Sequence, residues 1–232
     1  PYDTSDAVFR IAEGVAMVEP KGGESFGIGK PCYIKWTPSA RPKNVRVEIM
    51  RDGGPWKPLD PANPVIANTG HIWWNVTGPA ARQCYVRVSD AKDGAPSDQT
   101  KKPFAIVPSI TVTYPNGGED LEAGAWVNLT WWTGGDVPKV NVDITRDDGQ
   151  TWKRIAGNIV NDGDHRWQVT SPGSGNCLIR VGDTDRDPWD ASDGKFAIVR
   201  IRPTGTGQME TDLPPEDANP LAWPQTGGWD MP

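Results

Sequence analysis

Residues 114–131 of the chain read YPNGGEDLEAGAWVNLTW, and an earlier stretch, residues 19–36, reads EPKGGESFGIGKPCYIKW. Six positions are identical at a spacing of 95 residues: Pro20 and Pro115, Gly22 and Gly117, Gly23 and Gly118, Glu24 and Glu119, Gly29 and Gly124, Trp36 and Trp131. A repeat on this scale means that one structural unit occurs more than once in the chain. The sequence therefore predicts a tandem array of a single module.

Within each copy, apolar and polar residues alternate over short runs. In the first copy Cys32, Ile34 and Trp36 alternate with Tyr33 and Lys35. Such a period of two predicts strands with one buried face, and Gly- and Pro-rich turns separate the runs. About seven short strands per copy are typical of an immunoglobulin-like sandwich. We predict an all-β fold of tandem immunoglobulin/fibronectin-III-like β-sandwiches, the first over residues 15–107 and the second over residues 110–199.

The start of the chain resembles the end of the second copy. In residues 1–12, Ser5 and Phe9 match Ser192 and Phe196. We interpret this segment as the final strand of a preceding repeat. Either the native polypeptide is longer, which we favour, or this strand completes the sheet of another molecule by strand addition.

From residue 200 the alternation stops, and residues 200–232 form an irregular tail rich in Pro and Gly. Such a composition does not support an independent core. The tail nevertheless carries large apolar side chains, among them Trp223 and Trp229. We therefore predict that it docks on a neighbouring domain or on a partner subunit.

The charge balance limits the classes of partner. The chain has 24 Lys and Arg against 30 Asp and Glu, a net charge of −6, and no basic run. This argues against nucleic acid or an anionic membrane surface as the main partner. No apolar run approaches the roughly 20 residues that a membrane-spanning helix needs, so no membrane span is predicted.

The cysteines are distributed unevenly between the copies. Cys32 and Cys84 open two strands of the first copy that, in an immunoglobulin-like sandwich, start close together across the core. We predict a Cys32–Cys84 disulfide, with two buried core thiols as the alternative. In the second copy Cys177 matches Cys84, but Val127 matches Cys32. Cys177 is therefore predicted to be a buried free thiol.

Two acidic turns are candidate sites. Residues 145–152, TRDDGQTW, match the Asp-box hairpin pattern, which we interpret as a structural lock of the turn. Asp183, Asp185 and Asp187 have the spacing of the first three ligands of a calcium loop. Pro188 stands where that loop needs a glycine, so we favour a solvated loop and keep Ca²⁺ as the alternative.

Alternation also sorts the tryptophans. Trp36 and Trp131 fall on inward positions, whereas Trp73, Trp126, Trp132 and Trp189 are predicted to be exposed or at edges. Exposed indoles stack on sugars or anchor protein interfaces. Because these four lie on different strands and loops, we favour domain or subunit contacts, and we propose Trp73, Trp132 and Trp189 as partner-binding residues together with Trp223 and Trp229.

No catalytic constellation is recognisable in the sequence. There is no nucleophile elbow, no phosphate-binding loop and no Ser/His/Asp set around His71 or His165. We predict that the protein is not an enzyme and that it needs no cofactor.

The opening, PKGGE in the first copy and PNGGE in the second, the DDGQTW hairpin and the closing strand of residues 190–198 carry a resemblance to a known family. They resemble immunoglobulin-like repeats of large secreted bacterial and archaeal surface proteins, which are grouped with the Ser/Thr-rich, GPI-anchored fungal cell-wall family. The resemblance covers residues 1–199. It implies a sandwich fold and export from the cytoplasm, and such repeats serve as spacers, adhesive modules or appendages of enzymes.

The sequence thus predicts a non-catalytic, extracellular or cell-surface protein of a surface layer, filament or multi-subunit assembly. Its expected partners are other subunits or further repeats of the same chain. The alternative is a carbohydrate-binding accessory module of a secreted or cell-wall enzyme, with a polysaccharide as ligand.

Overall fold

The computed structural model describes residues 14–200, and every regular element in this range is a β-strand. The strands of the first sandwich are β1 (Ala16–Glu19), β2 (Ser25–Gly27), β3 (Pro31–Thr37), β4 (Asn44–Arg51), β5 (Lys57–Pro58), β6 (Ile66–Ala67), β7 (His71–Asn75), β8 (Ala81–Asp90), β9 (Ser97–Gln99) and β10 (Phe104–Val107). The strands of the second are β11 (Ser109–Tyr114), β12 (Asp120–Glu122), β13 (Trp126–Gly134), β14 (Lys139–Thr145), β15 (Lys153–Val160), β16 (Asp164–Gln168), β17 (Ser174–Asp183), β18 (Trp189–Ala191) and β19 (Phe196–Val199).

The two sandwiches share one topology. The first has a three-stranded sheet, β1-β3-β7, and a larger sheet in the order β2-β10-β8-β4-β5, to which β6 and β9 attach. The second has β11-β13-β16 and β12-β19-β17-β14-β15, with β18 beside β17. Among the strands of residues 14–200, only β2 with β10 and β12 with β19 pair in parallel. The predicted all-β fold class, with tandem immunoglobulin/fibronectin-III-like sandwiches, is confirmed.

Each sandwich has its own core, built from the inward residues of both of its sheets. Trp36 and Trp131 occupy matched places in the two cores. The indole of Trp36 donates to Asn68 Oδ1 over 2.7 Å, and that of Trp131 donates to Asn161 Oδ1 over 2.6 Å. The repeated Trp therefore brings a repeated polar anchor, which satisfies the only hydrogen-bonding atom of the buried ring.

The PNGGE segment forms the turn that precedes β12. Both carboxylate oxygens of Glu119 accept backbone hydrogen bonds, from the Asn116 amide over 2.7 Å and from the Gly117 amide over 2.8 Å. Gly117 has φ +136° and lies against the backbone of Gly194, where a Cβ would come within 2.8 Å of the Gly194 Cα. Glycine is needed here for conformation and for space, which explains why the motif recurs with the fold.

Trp132 lies where the two sandwiches meet. The Ser109 hydroxyl of the second sandwich donates to the Ile28 carbonyl of the first over 2.5 Å. The Trp132 ring lies so close over Gly29 and Gly134 that neither position has room for a side chain. These contacts join the sandwiches directly.

Residues 1–13 and 201–232 lie outside the described residues. The interpretation of residues 1–12 as a strand and of the tail as a docking segment, including Trp223 and Trp229, therefore stays a prediction. Within residues 14–200, no helix is long and apolar enough to cross a membrane.

Candidate functional site

The outer face of the three-stranded sheet of the first sandwich carries a row of exposed aromatic side chains. Tyr33 on β3 lies directly opposite Trp73 on β7, and their ring centroids are 4.8 Å apart at an angle of 46°. The His71 ring also lies near Tyr33, with ring centroids 5.7 Å apart. We call Tyr33, His71 and Trp73 the aromatic face.

Local sequence explains why these rings face the solvent. Cys32, Ile34 and Trp74 fill the core, so their neighbours Tyr33 and Trp73 must project from the opposite side of the sheet. The Trp73 side chain stays 66% exposed although it contacts Tyr33. A large indole left in water at a fixed position in a sheet is a candidate anchor for a binding partner.

Polar groups border the aromatic face. Lys35 pairs with His71 across the strands, and Asn75 pairs with Pro31 at the other end of the row. All four residues are exposed. The arrangement offers an apolar centre with charged and amide groups at its edges, which is the usual composition of a protein interface.

The second sandwich does not repeat this face. By strand register Asn128 stands at the position of Tyr33, and Arg166 at that of Trp73. Arg166 stacks on the Trp126 ring, with its guanidinium carbon 4.8 Å from the centroid. Trp126 is thus partnered within its own sheet by a cation–π contact.

Of the three predicted partner-binding tryptophans within residues 14–200, only Trp73 belongs to the aromatic face. Trp132 instead packs over Gly29 and Gly134, and it remains 46% exposed. Trp189 is 58% exposed and lines a separate cavity on the larger sheet of the second sandwich. The structure therefore assigns these three tryptophans to three different surroundings.

Cys32 and Cys84 belong to different sheets and to the same core, as expected, but they are separate free thiols in this structure. The predicted disulfide is thus not formed here. Burial raises the pKa of the Cys32 thiol to about 11, with a smaller contribution from Glu24. Burial likewise raises the pKa of the Cys84 thiol. This thiol donates to the Ala81 carbonyl oxygen over 3.8 Å. Pairing of the two stays a prediction for the oxidised protein, and Cys177 is a buried free thiol.

The acidic loop of Asp183, Asp185 and Asp187 does not gather its carboxylates as a calcium site. Asp183 Oδ1 accepts from the backbone amide of Thr184, and Asp185 Oδ1 accepts from the amide of Asp187 over 3.1 Å. Across residues 14–200, no three Asp, Glu, His or Cys side chains gather as a metal site would require. The Asp183 and Asp185 carboxylates thus accept from amides of their own loop, as aspartates in turns commonly do.

Hydrogen bonds of Asp147 stabilise the turn of the Asp-box hairpin, residues 145–152. Asp147 accepts from the Thr145 hydroxyl over 2.6 Å and from the Thr151 amide over 2.8 Å. The hydrogen bond from Thr145 contributes most, followed by those from Thr151, and together they lower the pKa of Asp147 to about 2. The guanidinium carbon of Arg180 lies over the Trp152 ring, 4.3 Å from the ring centroid.

Sequence reasoning missed two features. It placed Tyr33 on an outward position without pairing it with Trp73, because the pairing depends on strand register, which alternation does not reveal. It also overlooked a cluster of arginines around Asp143, since those residues come from three strands and a loop. The available signal was that Asp143, Arg154 and Arg180 occupy outward positions on their strands.

Comparison with known proteins gives a likeness of fold. No family model matches the chain, and no curated protein matches it. Among solved structures, the CbhA fibronectin(III)-like modules of Clostridium thermocellum share 18% identity over 84% of this chain and 98% of theirs, with a TM-score of 0.32.

The two immunoglobulin domains of DIP-gamma share 11% identity over 80% of this chain and 98% of theirs, with a TM-score of 0.28. A chimeric titin Z1Z2 shares 11% identity over 82% of this chain and 99% of its own, with a TM-score of 0.27. These similarities concern the fold, and they assign no partner or activity to this chain.

Proposed function

We propose that the protein is a non-catalytic, extracytoplasmic structural and interaction protein of a cell-surface layer, filament or multi-subunit assembly. It binds a partner subunit through the aromatic face of the first sandwich. The observation that supports this most is the exposed Tyr33–Trp73 pair, which is present in one copy of the module and absent from the other.

The difference between the copies supports a binding role for the pair. Both sandwiches fold with the same topology, so the scaffold does not need an aromatic pair on this face. Exposed indoles cost solvation free energy unless a partner covers them. Trp and Tyr are also the residues that most often dominate the binding energy of protein interfaces.

The geometry favours a protein partner over a polysaccharide. The Tyr33 and Trp73 rings are inclined by 46°, so they form a ridge rather than one flat surface along which successive sugars stack. A ridge of two rings with Lys35 and Asn75 at its edges fits a complementary pocket on another subunit. Carbohydrate binding, as in an accessory module of a secreted or cell-wall enzyme, is the second candidate, because a single exposed indole also stacks on one sugar ring.

Affinity measurements on Trp73→Ala test the proposal. Binding of the purified chain to the subunits that co-purify with it in its native assembly is measured by surface plasmon resonance. We expect Trp73→Ala to weaken that binding roughly 30-fold, as for a central aromatic anchor of an interface. Trp126→Ala is the matched control, since it removes an exposed indole from the same sheet of the other sandwich.

Two results would contradict the proposal. One is equal loss of affinity in both variants, which would deny the aromatic face a special role. The other is specific binding to a glycan array that disappears in Trp73→Ala while subunit binding is unchanged, which would establish the carbohydrate function instead.

A further inference from the structure

A second surface, on the other sandwich, has the composition of a ligand site. A cavity of about 210 Å³ opens on the larger sheet of the second sandwich, on the side away from the core. We call it the arginine pocket and define it by Asn141, Asp143, Arg154, Arg180, Arg186 and Trp189.

Asp143 organises two of the arginines. Its Oδ1 accepts from Arg154 Nε, and its Oδ2 accepts from Arg180 Nη2 over 3.0 Å. The carboxylate is nearly buried, so it holds both guanidiniums in fixed positions. Each guanidinium has five N–H donors, and one carboxylate occupies only a few of the ten. The pair therefore retains donors and one excess positive charge.

The rest of the lining adds donors and one further carboxylate. Arg186, at φ +78° in the loop after β17, is the third arginine of the lining. Asp183 also lines the cavity, but its Oδ1 accepts from the amide and hydroxyl of Thr184. Asn141 uses its side-chain oxygen to accept from the Asn158 amide over 2.9 Å, which leaves its NH₂ group as a donor. Three arginines and two aspartates thus line the cavity, in a chain with a net charge of −6.

Trp189 supplies an apolar wall to the same pocket. It lies opposite Gly182 in the β17–β18 pairing, and a Cβ at Gly182 would come within 2.9 Å of the Trp189 Cβ. The glycine therefore allows the indole to lie close across the strand. Trp189 stays 58% exposed, so apolar surface of its indole remains available for stacking.

The first sandwich retains the base of this arrangement and lacks the pocket-forming residues. Glu48 pairs with Arg87 over 2.7 Å, and Arg87 stacks on Trp56, as Asp143, Arg180 and Trp152 do in the second. Strand register places Pro58 where the second sandwich has Arg154, and Ser97 where it has Trp189. The second copy thus has Arg154 and Trp189, a hydrogen-bond donor and a stacking surface, where the first has Pro58 and Ser97.

We propose that the arginine pocket binds a carboxylate-bearing sugar residue, a hexuronate unit of an acidic polysaccharide. Guanidiniums match the planar geometry of a carboxylate and bind it with paired hydrogen bonds. The Trp189 face stacks on the C–H face of the sugar ring. A cavity of about 210 Å³ is smaller than a drug-sized site, and it suits one compact ring with its substituents.

Calorimetry with matched oligosaccharides tests the assignment. The intact chain is titrated with a hexamer of galacturonate, a neutral hexamer of galactose and a hexaglutamate peptide at low salt. We expect the galacturonate hexamer to bind more tightly than the other two, and less tightly as salt rises. Arg186→Gln should weaken its binding roughly tenfold, and Trp189→Ala should do the same. Lys153→Gln is the matched control, because it removes the same charge beside Arg154 from an exposed residue outside the pocket lining.

Any of three outcomes overturns the proposal: equal binding of the neutral hexamer, equal or tighter binding of hexaglutamate, or unchanged binding of galacturonate by Arg186→Gln. Hexaglutamate binding would assign the pocket to an acidic protein segment. The outcome is independent of the function proposed for the aromatic face, because Trp73→Ala lies on the other sandwich and should leave galacturonate binding unchanged.

Discussion

On the outer face of the three-stranded sheet, the first sandwich carries Tyr33 and Trp73 where the second carries Asn128 and Arg166. Behind that face, the buried Trp36 and Trp131 make equivalent hydrogen bonds to Asn68 and Asn161. The inward positions stay alike because both copies must fill the same space between two sheets. The outward positions are free to differ, and the difference between the copies therefore points to function.

The turn after the PNGGE motif differs in the same way. Gly29 of the first sandwich is covered by the Trp132 ring, whereas Gly124 of the second has no atom within 4 Å of the place of a Cβ. At the matching end of β3, Thr37 stands at the position of Trp132. Gly29 and Gly124 match in sequence but have different neighbours, because only Gly29 lies at the contact between the sandwiches.

The largest expected difference between the sandwiches concerns oxidation. A Cys32–Cys84 disulfide would join positions 52 residues apart, and the chain-entropy estimate gives about 4 kcal/mol of stabilisation for a loop of that size. We expect oxidation to raise the free energy of unfolding of the first sandwich by about this amount. The second sandwich should be unchanged, because Val127 stands at the position that matches Cys32 and leaves Cys177 without a second cysteine.

Urea denaturation with and without reductant measures this effect, and titration of free thiols in the unfolded protein checks the bond. Cys84→Ser should abolish the dependence on reductant, while Cys177→Ser should preserve it. Three titratable thiols after oxidation would show that the bond does not form.

The next largest effect is expected at the junction. Trp132→Ala removes an indole that covers Gly29 and Gly134, and we expect it to lower the free energy of unfolding by about 2 kcal/mol, since roughly half of the ring is buried. The measurement is urea denaturation of the reduced chain.

Trp126→Ala provides the comparison for this variant. It removes an indole that contacts Arg166 on a sheet surface, and a loss below about 1 kcal/mol is expected for such a cation–π contact. Equal losses in the two variants would mean that Trp132 does not couple the sandwiches.

A smaller effect is expected when the aromatic face is transplanted. Asn128→Tyr combined with Arg166→Trp places the ring pair on the second sandwich, at equivalent positions in the register. In a chain that already carries Trp73→Ala, this double substitution should recover roughly tenfold in partner affinity, about 1.4 kcal/mol. Surface plasmon resonance is the measurement, and Asn128→Ala with Arg166→Ala is the control. No recovery would show that the surroundings of the pair, rather than the rings, carry the binding.

The smallest effect concerns pH. Hydrogen bonds from Thr145 and Thr151 lower the pKa of Asp147 to about 2, below its ordinary value of 3.8. A lowered pKa in the folded state stabilises the fold above pH 4, and this contribution is lost as the pH falls from 4 through 2. Asp147→Asn should therefore flatten the dependence of the melting temperature on pH in that window. Asp136→Asn, an exposed carboxylate outside this network, should retain the dependence of the original protein. An unchanged profile in Asp147→Asn would show that the hairpin network does not stabilise the ionised carboxylate.

Much of the fold followed from local patterns. The PNGGE repeat and the alternation around Trp36 and Trp131 predicted two sandwiches, because side-chain direction in a strand depends only on the parity of the position. The candidate sites did not follow in the same way. Tyr33 and Trp73 are 40 positions apart, and they meet only because the register of β3 and β7 brings them together.

By itself, the sequence determined the architecture of this protein: two copies of one module, their inward residues and the turns that need glycine. These features depend on steric rules that act within a few residues. The tertiary structure decided the rest. It placed Tyr33 beside Trp73, covered Gly29 with Trp132 and gathered Arg154, Arg180 and Arg186 around one pocket. Such contacts join distant parts of the chain, and strand register and sheet packing select them from many pairings that the same alternation permits.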